Sequence, residues 1–180
     1  MTGFQGKHVA HEYKQRNVAP PEKVFPLLCP VREGDWLPGW EYRLIFSQSG
    51  VAEPGCVFST PNGDGSETTW VVTNYDPVAF RIAFTWVNPG LVAAQIIVSL
   101  ECNAQGTTDS LIRYVYTGLS PNGNREVERY SHEWFQAKME NWETSINHYL
   151  RTREVDMLCG MTGLAPGSSW PKAYSDGERY

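Results

Sequence analysis

The residues able to do chemistry are few, and their spacing excludes several chemistries at once. The histidines are His8, His11, His132 and His148. His132 opens "HEWFQ", which starts like a zinc-protease helix motif but lacks the second histidine. His8 and His11 lie three apart in a stretch that reads as a strand. Their side chains therefore leave on opposite faces and cannot converge on one ion, so no metal centre is expected. The cysteines Cys29, Cys56, Cys102 and Cys159 form no CxxC pair, none has a histidine near it in sequence, and no GxSxG nucleophile turn occurs. Glycines fall in turns and not in a phosphate loop after a strand. No catalytic residue is assigned and no cofactor is expected. What remains are tyrosine hydroxyls, indole N–H groups and a few small polar side chains, which can orient a ligand within an apolar site.

The elements that must position these groups are legible from period. In "HEWFQAKMENWETSINHYL", at about 100° per residue, Phe135, Met139, Trp142, Ile146 and Tyr149 fall within roughly 80° of arc, with Ser131 and Leu150 at its edges. This predicts one helix over 125–150 with a wide, aromatic apolar face. Upstream, "KHVAHEYKQRNV" alternates as an edge strand with Val9, His11 and Tyr13 on one face. "APPEKVFPLLC" and "PVREGDWLPGW" supply prolines that permit only short helices. From residue 41 the period becomes two: "EYRLIFSQ", "CVFST", "ETTWVVTNY", "FRIAFTWVN", "LVAAQIIVSLEC" and "DSLIRYVYTG" read as strands, separated by turns such as "PNGDG" and "NPG". Short connections between them imply an antiparallel meander. Periodicity fades after about residue 152, which predicts a single domain over 1–155 and an irregular tail over 156–180.

The chain has 180 residues, 41% of them hydrophobic and 13% aromatic, with a formal net charge of −5. That is enough chain for one real core. An acidic chain lacks the basic surface that nucleic acid requires, so no nucleic-acid partner is expected. The longest apolar run, "LVAAQIIVSL", is too short to cross a bilayer and carries Gln95. The N-terminus has no hydrophobic signal stretch, so a cytoplasmic location with reduced, mostly buried thiols is expected.

The order strand, two short helices, six strands, long helix resembles the START-like, or helix-grip, superfamily, which includes birch-pollen-allergen-like proteins, lipid-transfer domains, polyketide cyclases and chaperone-ATPase activators. The words that carry the resemblance are "APPEKVFPLL", "WLPGWEYRL", "GCVFST", "TTWVVTNYDP", "NPG", "GTTDSLIRYVYTGLSPNGN" and "INHYLRT", spread over residues 7–152. The resemblance implies an α+β fold in which a curved seven-stranded antiparallel sheet grips the long helix and leaves a hollow between them. It also implies which face of each strand is concave: Trp70, Val72 and Asn74; Ile82, Phe84 and Trp86; Ala94, Ile96, Val98 and Leu100; Ile112, Tyr114 and Tyr116.

The cavity wall is then expected from Trp36, Trp70, Asn74, Phe84, Trp86, Ile96, Tyr114, Tyr116, Ser131, Phe135, Met139 and Trp142. Tyr114, Tyr116, Trp86, Asn74 and Ser131 are its polar handles. Trp36 and Trp40 either staple the small helices to the sheet or line the mouth, with Arg32, Glu33 and Asp35 as solvated rim charges. Binding of a small hydrophobic or amphipathic molecule, as carrier or sensor, is the expected function. A cyclase- or aromatase-like enzyme and a chaperone-cofactor-like binding module are the alternatives, and a second copy of the chain is an admissible partner.

Overall fold

The computed structural model of the protein describes residues 3–162, with side chains as far as residue 153. The strands are β1 His8–Asn17, β2 Arg43–Phe46, β3 Val57–Pro61, β4 Glu67–Asp76, β5 Arg81–Asn88, β6 Val92–Cys102 and β7 Thr108–Gly118. They form one seven-stranded sheet in the order β1-β7-β6-β5-β4-β3-β2. Every neighbouring pair is antiparallel. Hairpins join β2 through β7 in sequence, as short turns between β-rich segments dictate. The first strand alone crosses over, to pair with the last.

Between β1 and β2 the chain makes α1 Pro21–Val24, a 3₁₀ turn over Phe25–Leu28, and α2 Pro30–Glu33. Each begins with a proline in its first turn, where a missing N–H costs nothing. Their apolar residues Val24, Phe25, Leu27 and Leu28 are buried, Phe25 packing on Tyr75 and Phe80 with ring centres 5.1 and 5.8 Å away. These helices fill one end of the concave face.

The long helix is not continuous over 125–150, as the period alone predicts. It is two helices, α3 Pro121–Arg129 and α4 His132–Thr162. The break has a local cause: the Ser131 hydroxyl accepts the Trp134 N–H at 3.2 Å, capping a new helix start. α3 is held tightly to the sheet, because Gly123 rides on the turn before β6. A Cβ there would meet the Leu91 carbonyl oxygen at 1.8 Å, so only glycine permits the approach. At its far end α4 runs to Thr162, beyond the expected limit of the domain at 155. Arg, Glu, Met and Leu between 151 and 161 are good helix formers and prolong it despite the lost amphipathic period. The rest of the expected tail, 163–180, lies outside the described residues.

α4 lies closest to the edge strand β1. Polar groups fix it there. Asn147 accepts the Val18 N–H at 3.0 Å and donates to the Arg16 carbonyl at 2.8 Å. The Tyr13 hydroxyl donates to Glu143 at 2.6 Å, and His11 Nε2 donates to the Tyr130 carbonyl at 2.7 Å. Phe135, Met139 and Ile146 are fully buried beneath the helix, the stripe that the helical period marks out. A polar groove of about 330 Å³, lined by Tyr13, Glu140, Glu143, Thr144, Asn147 and Arg151, opens along this seam. It faces outward and is distinct from the concave face.

Candidate functional site

Register builds the concave face in rows. One row runs Val9, Tyr116, Ala94, Trp86, Trp70, Phe58 and Leu44 across all seven strands. The next runs His11, Tyr114, Ile96, Phe84 and Val72. Six of the residues expected at the site therefore stand side by side. Their rings form a connected wall: Phe58–Trp70 at 5.5 Å, Trp70–Trp86 at 5.9 Å, Trp86–Tyr116 at 6.2 Å and Tyr114–Tyr116 at 5.7 Å between centres. From above, Phe135 meets Tyr114 edge-on at 5.4 Å, and Tyr130, at the break between α3 and α4, lies 4.6 Å from Tyr116.

Two expected site residues do not join this wall. A bulge in β4 shifts the register between Val72 and Asn74. The extra residue reverses the alternation, so Asn74 is exposed and Tyr75 turns inward onto Phe25. Ser131 is likewise exposed and serves as the cap of α4. Of the remaining helix positions, Met139 is buried, and Trp142 is half-buried with its ring edge-on to Trp36 at 5.1 Å.

The tryptophan loop works chiefly as a staple. Trp36 donates its indole N–H to the Leu27 carbonyl at 2.9 Å, and Trp40 donates to the Pro30 carbonyl at 2.8 Å. Its charges divide. Arg32 and Asp35 pair at 2.7 Å on the rim as expected, but Glu33 is only 7% exposed. The short turn of α2 buries it within electrostatic reach of Lys138 and Tyr114 instead of leaving it in water.

Glu33 has an opposite charge nearby. Lys138 is half-buried on the flank of the α4 stripe, with its ammonium over the rings of Tyr114 and Trp134 at 5.3 Å from each centre. Burial pushes the Glu33 carboxyl up to about 8, and the Lys138 charge pulls it partly back. Burial likewise lowers the Lys138 amine to about 8, opposed by Glu33. Burial also raises the Tyr114 and Tyr116 hydroxyls, Tyr114 further through Glu33 and Tyr116 further through Tyr114 and Tyr130. The Tyr116 hydroxyl has no hydrogen-bond partner among the described residues. No hydrogen bond or ion pair within 4.0 Å joins the Glu33 and Lys138 side chains among the described residues.

The period carried a signal for Lys138 that attention to the apolar stripe passes over. It stands three after Phe135 and four before Trp142, on the same side of the helix. Nothing in sequence marks Glu33, because its neighbours Arg32 and Asp35 are the rim pair it resembles. His11 was legible as a face-mate of Val9 and Tyr13, and it stacks on Phe135 at 5.1 Å. Among the described residues no cluster of three or more His, Cys, Asp or Glu side chains could hold a metal ion, and no helix is long and apolar enough to cross a membrane. Cys29 and Cys56 are buried free thiols, and Cys102 is an exposed one.

A meander closed by its first strand, short helices at one end and a long helix across the concave side define a known architecture. The chain has the helix-grip fold. The structure resembles Ara h 8.0201 with a TM-score of 0.60 at 16% identity, covering 81% of this chain and 99% of that one. It resembles norcoclaurine synthase from Thalictrum flavum, in complex with dopamine and hydroxybenzaldehyde, with a TM-score of 0.58 at 13% identity, covering 82% and 87%. A third similar structure is DynU16, from the dynemicin biosynthetic locus, with a TM-score of 0.55 at 19% identity, covering 79% of this chain and 47% of that one. No protein-family model matches the sequence, and no curated protein matches it.

Proposed function

We propose that the helix-grip hollow of this protein binds a small hydrophobic or amphipathic molecule, in a carrier or sensor role. One observation carries this reading. Trp70, Trp86 and Trp142 sit at inward-facing positions yet remain half-buried, and Leu44, at the end of their row, is 37% exposed. In a sealed core such large side chains are highly buried, even where tryptophan keeps an exposed edge. Here α4 is pinned to β1, at one edge of the sheet. Of the aromatic wall, Phe58, Phe84, Tyr114 and Tyr116 are buried, while Trp70 and Trp86 keep an edge at solvent. An apolar edge of that kind suits an apolar ligand and costs stability if left wet. The norcoclaurine synthase complex holds small aromatic molecules in a protein of the same fold, which supports the reading by analogy.

The test is titration of the purified protein with 1-anilinonaphthalene-8-sulfonate, reading probe emission and tryptophan quenching. Saturable one-site binding is expected, weakened about tenfold, or about 1.4 kcal/mol, by Trp70→Ala. Absence of saturable binding, or binding indifferent to Trp70→Ala and Trp86→Ala alike, would sink the reading. A second reading, enzymatic turnover in the same hollow, is favoured by Glu33 and Lys138. A buried acid pushed up to about 8 and a half-buried amine lowered to about 8 have the properties of a general acid and base.

A further inference from the structure

We propose that Lys138 is a nucleophilic amine that captures aldehydes or ketones bearing an apolar tail, as an imine. The inference rests on the ligand-binding reading of the hollow and adds a covalent step to it. Three observations converge. The Lys138 ammonium lies over Tyr114, a concave-face residue, and beside Trp134, so the amine is delivered to the aromatic wall and not to bulk solvent. Its side chain makes no ion pair within 4.0 Å among the described residues, unlike Lys7, which pairs with Glu128 at 2.9 Å. The acid that acts on it electrostatically, Glu33, is itself buried.

The chemistry balances without any further reagent. The neutral Nζ attacks the carbonyl carbon, and the C–N bond forms as the C=O π pair moves to oxygen. The oxygen takes a proton from the Glu33 carboxyl, and the carboxylate recovers one from the nitrogen. Glu33 protonates that oxygen a second time, water leaves as the nitrogen lone pair forms C=N, and the iminium proton returns to the Glu33 carboxylate, leaving the imine between lysine and ligand. Each role needs a group in the right protonation state near neutral pH. Burial supplies both, by lowering the amine and raising the acid. The groups facing Lys138 are Glu33 on α2, Tyr114 on β7 and Trp134 on its own helix. Lys14, an exposed lysine away from the concave face, is the internal comparison.

The experiment uses the full chain with 2-naphthaldehyde and sodium cyanoborohydride at mildly alkaline pH, read by intact mass and peptide mapping. 2-Naphthalenemethanol, which binds but cannot form an imine, serves as the parallel probe by tryptophan quenching. The expected result is one reduced adduct on Lys138, at least about tenfold faster than on Lys14. Lys138→Arg keeps the charge over the rings and should lose the adduct while still binding the alcohol. Glu33→Gln should slow adduct formation about tenfold or more, within the usual range for losing a general acid. Labelling spread over the exposed lysines, or an adduct rate unchanged in Lys138→Arg, overturns the imine. Binding of the alcohol without any adduct overturns the imine and leaves the ligand-binding reading standing. Failure of the alcohol to bind overturns both.

Discussion

Replacing Glu33 with glutamine should make the protein more stable at pH 7 to 8 and leave it nearly unchanged at pH 5. The carboxyl sits near 4.5 when exposed and is pushed up to about 8 in the fold. The folded state therefore holds a proton that the unfolded state releases. A raised acid contributes stability that is complete below about 4.5 and is lost as pH rises toward about 8. Inside that window each pH unit costs about 1.4 kcal/mol, so the wild type should lose about 3 kcal/mol between pH 5 and 7 from this group alone. Lys138 does not disturb this interval, since its own transition lies at about 8 and above. The carboxylates held low by hydrogen bonds or ion pairs, Glu53, Asp64, Glu67 and Glu133, act at lower pH. Glutamine keeps the shape of the protonated acid and cannot ionise. Urea unfolding of both proteins at several pH values gives the difference directly, with the histidine contributions cancelling between them. Parallel stability curves from pH 5 to 8 would refute the burial of a neutral Glu33, and with it the acid assigned to the imine step.

Gly123→Ala should cost about 3 kcal/mol or more, at the upper end for overpacking, because the new methyl meets the Leu91 carbonyl at 1.8 Å; a midpoint shift under about 1 kcal/mol by chemical denaturation would show that α3 can lift away freely. Asn147→Ala removes three hydrogen bonds that pin α4 to the end of β1 and strands the Val18 N–H, which should cost about 2–3 kcal/mol. Faster amide exchange at Val18 is its signature, and unchanged protection there would contradict the anchoring role. Phe135→Ala should cost about 3–5 kcal/mol as a fully buried aromatic, and Trp142→Ala clearly less, since its ring is only half-buried. Equal losses for the two would mean that the roof over Trp142 is packed solid.

The strands were legible because their side chains obey a strict period of two, and the turns between them because Gly, Pro, Asn and Asp solve specific backbone problems. The helical stripe was legible for the same kind of reason: Phe135, Met139 and Ile146 are buried as their spacing demands. Where a single residue disturbs the count, the reading fails locally. The bulge after Val72 reverses β4 and exchanges Asn74 for Tyr75. The capping hydroxyl of Ser131 divides one long helix into two. Both are local events, but a bulge or a cap becomes visible only when a partner strand or a neighbouring helix fixes the register.

By itself the sequence determined the order of elements, the antiparallel meander and the apolar face of the long helix. These follow from period and turn chemistry, which act over a few residues. The concave side of the strands, and with it most of the aromatic wall, came from the resemblance to helix-grip proteins, and the pairing of the first strand with the last came from the fold. Tertiary structure alone decided the electrostatics of the site. Glu33 reads as one of three loop charges, and its burial comes from the packing of α2 in the fold. Lys138 reads as a polar residue beside an apolar stripe, one turn after Trp134, and only the tertiary position of Tyr114 on β7 brings its amine over the concave face. The cost of burying a charge depends on everything within several ångströms in all directions. A linear sequence specifies two of those neighbours, and the fold supplies the others.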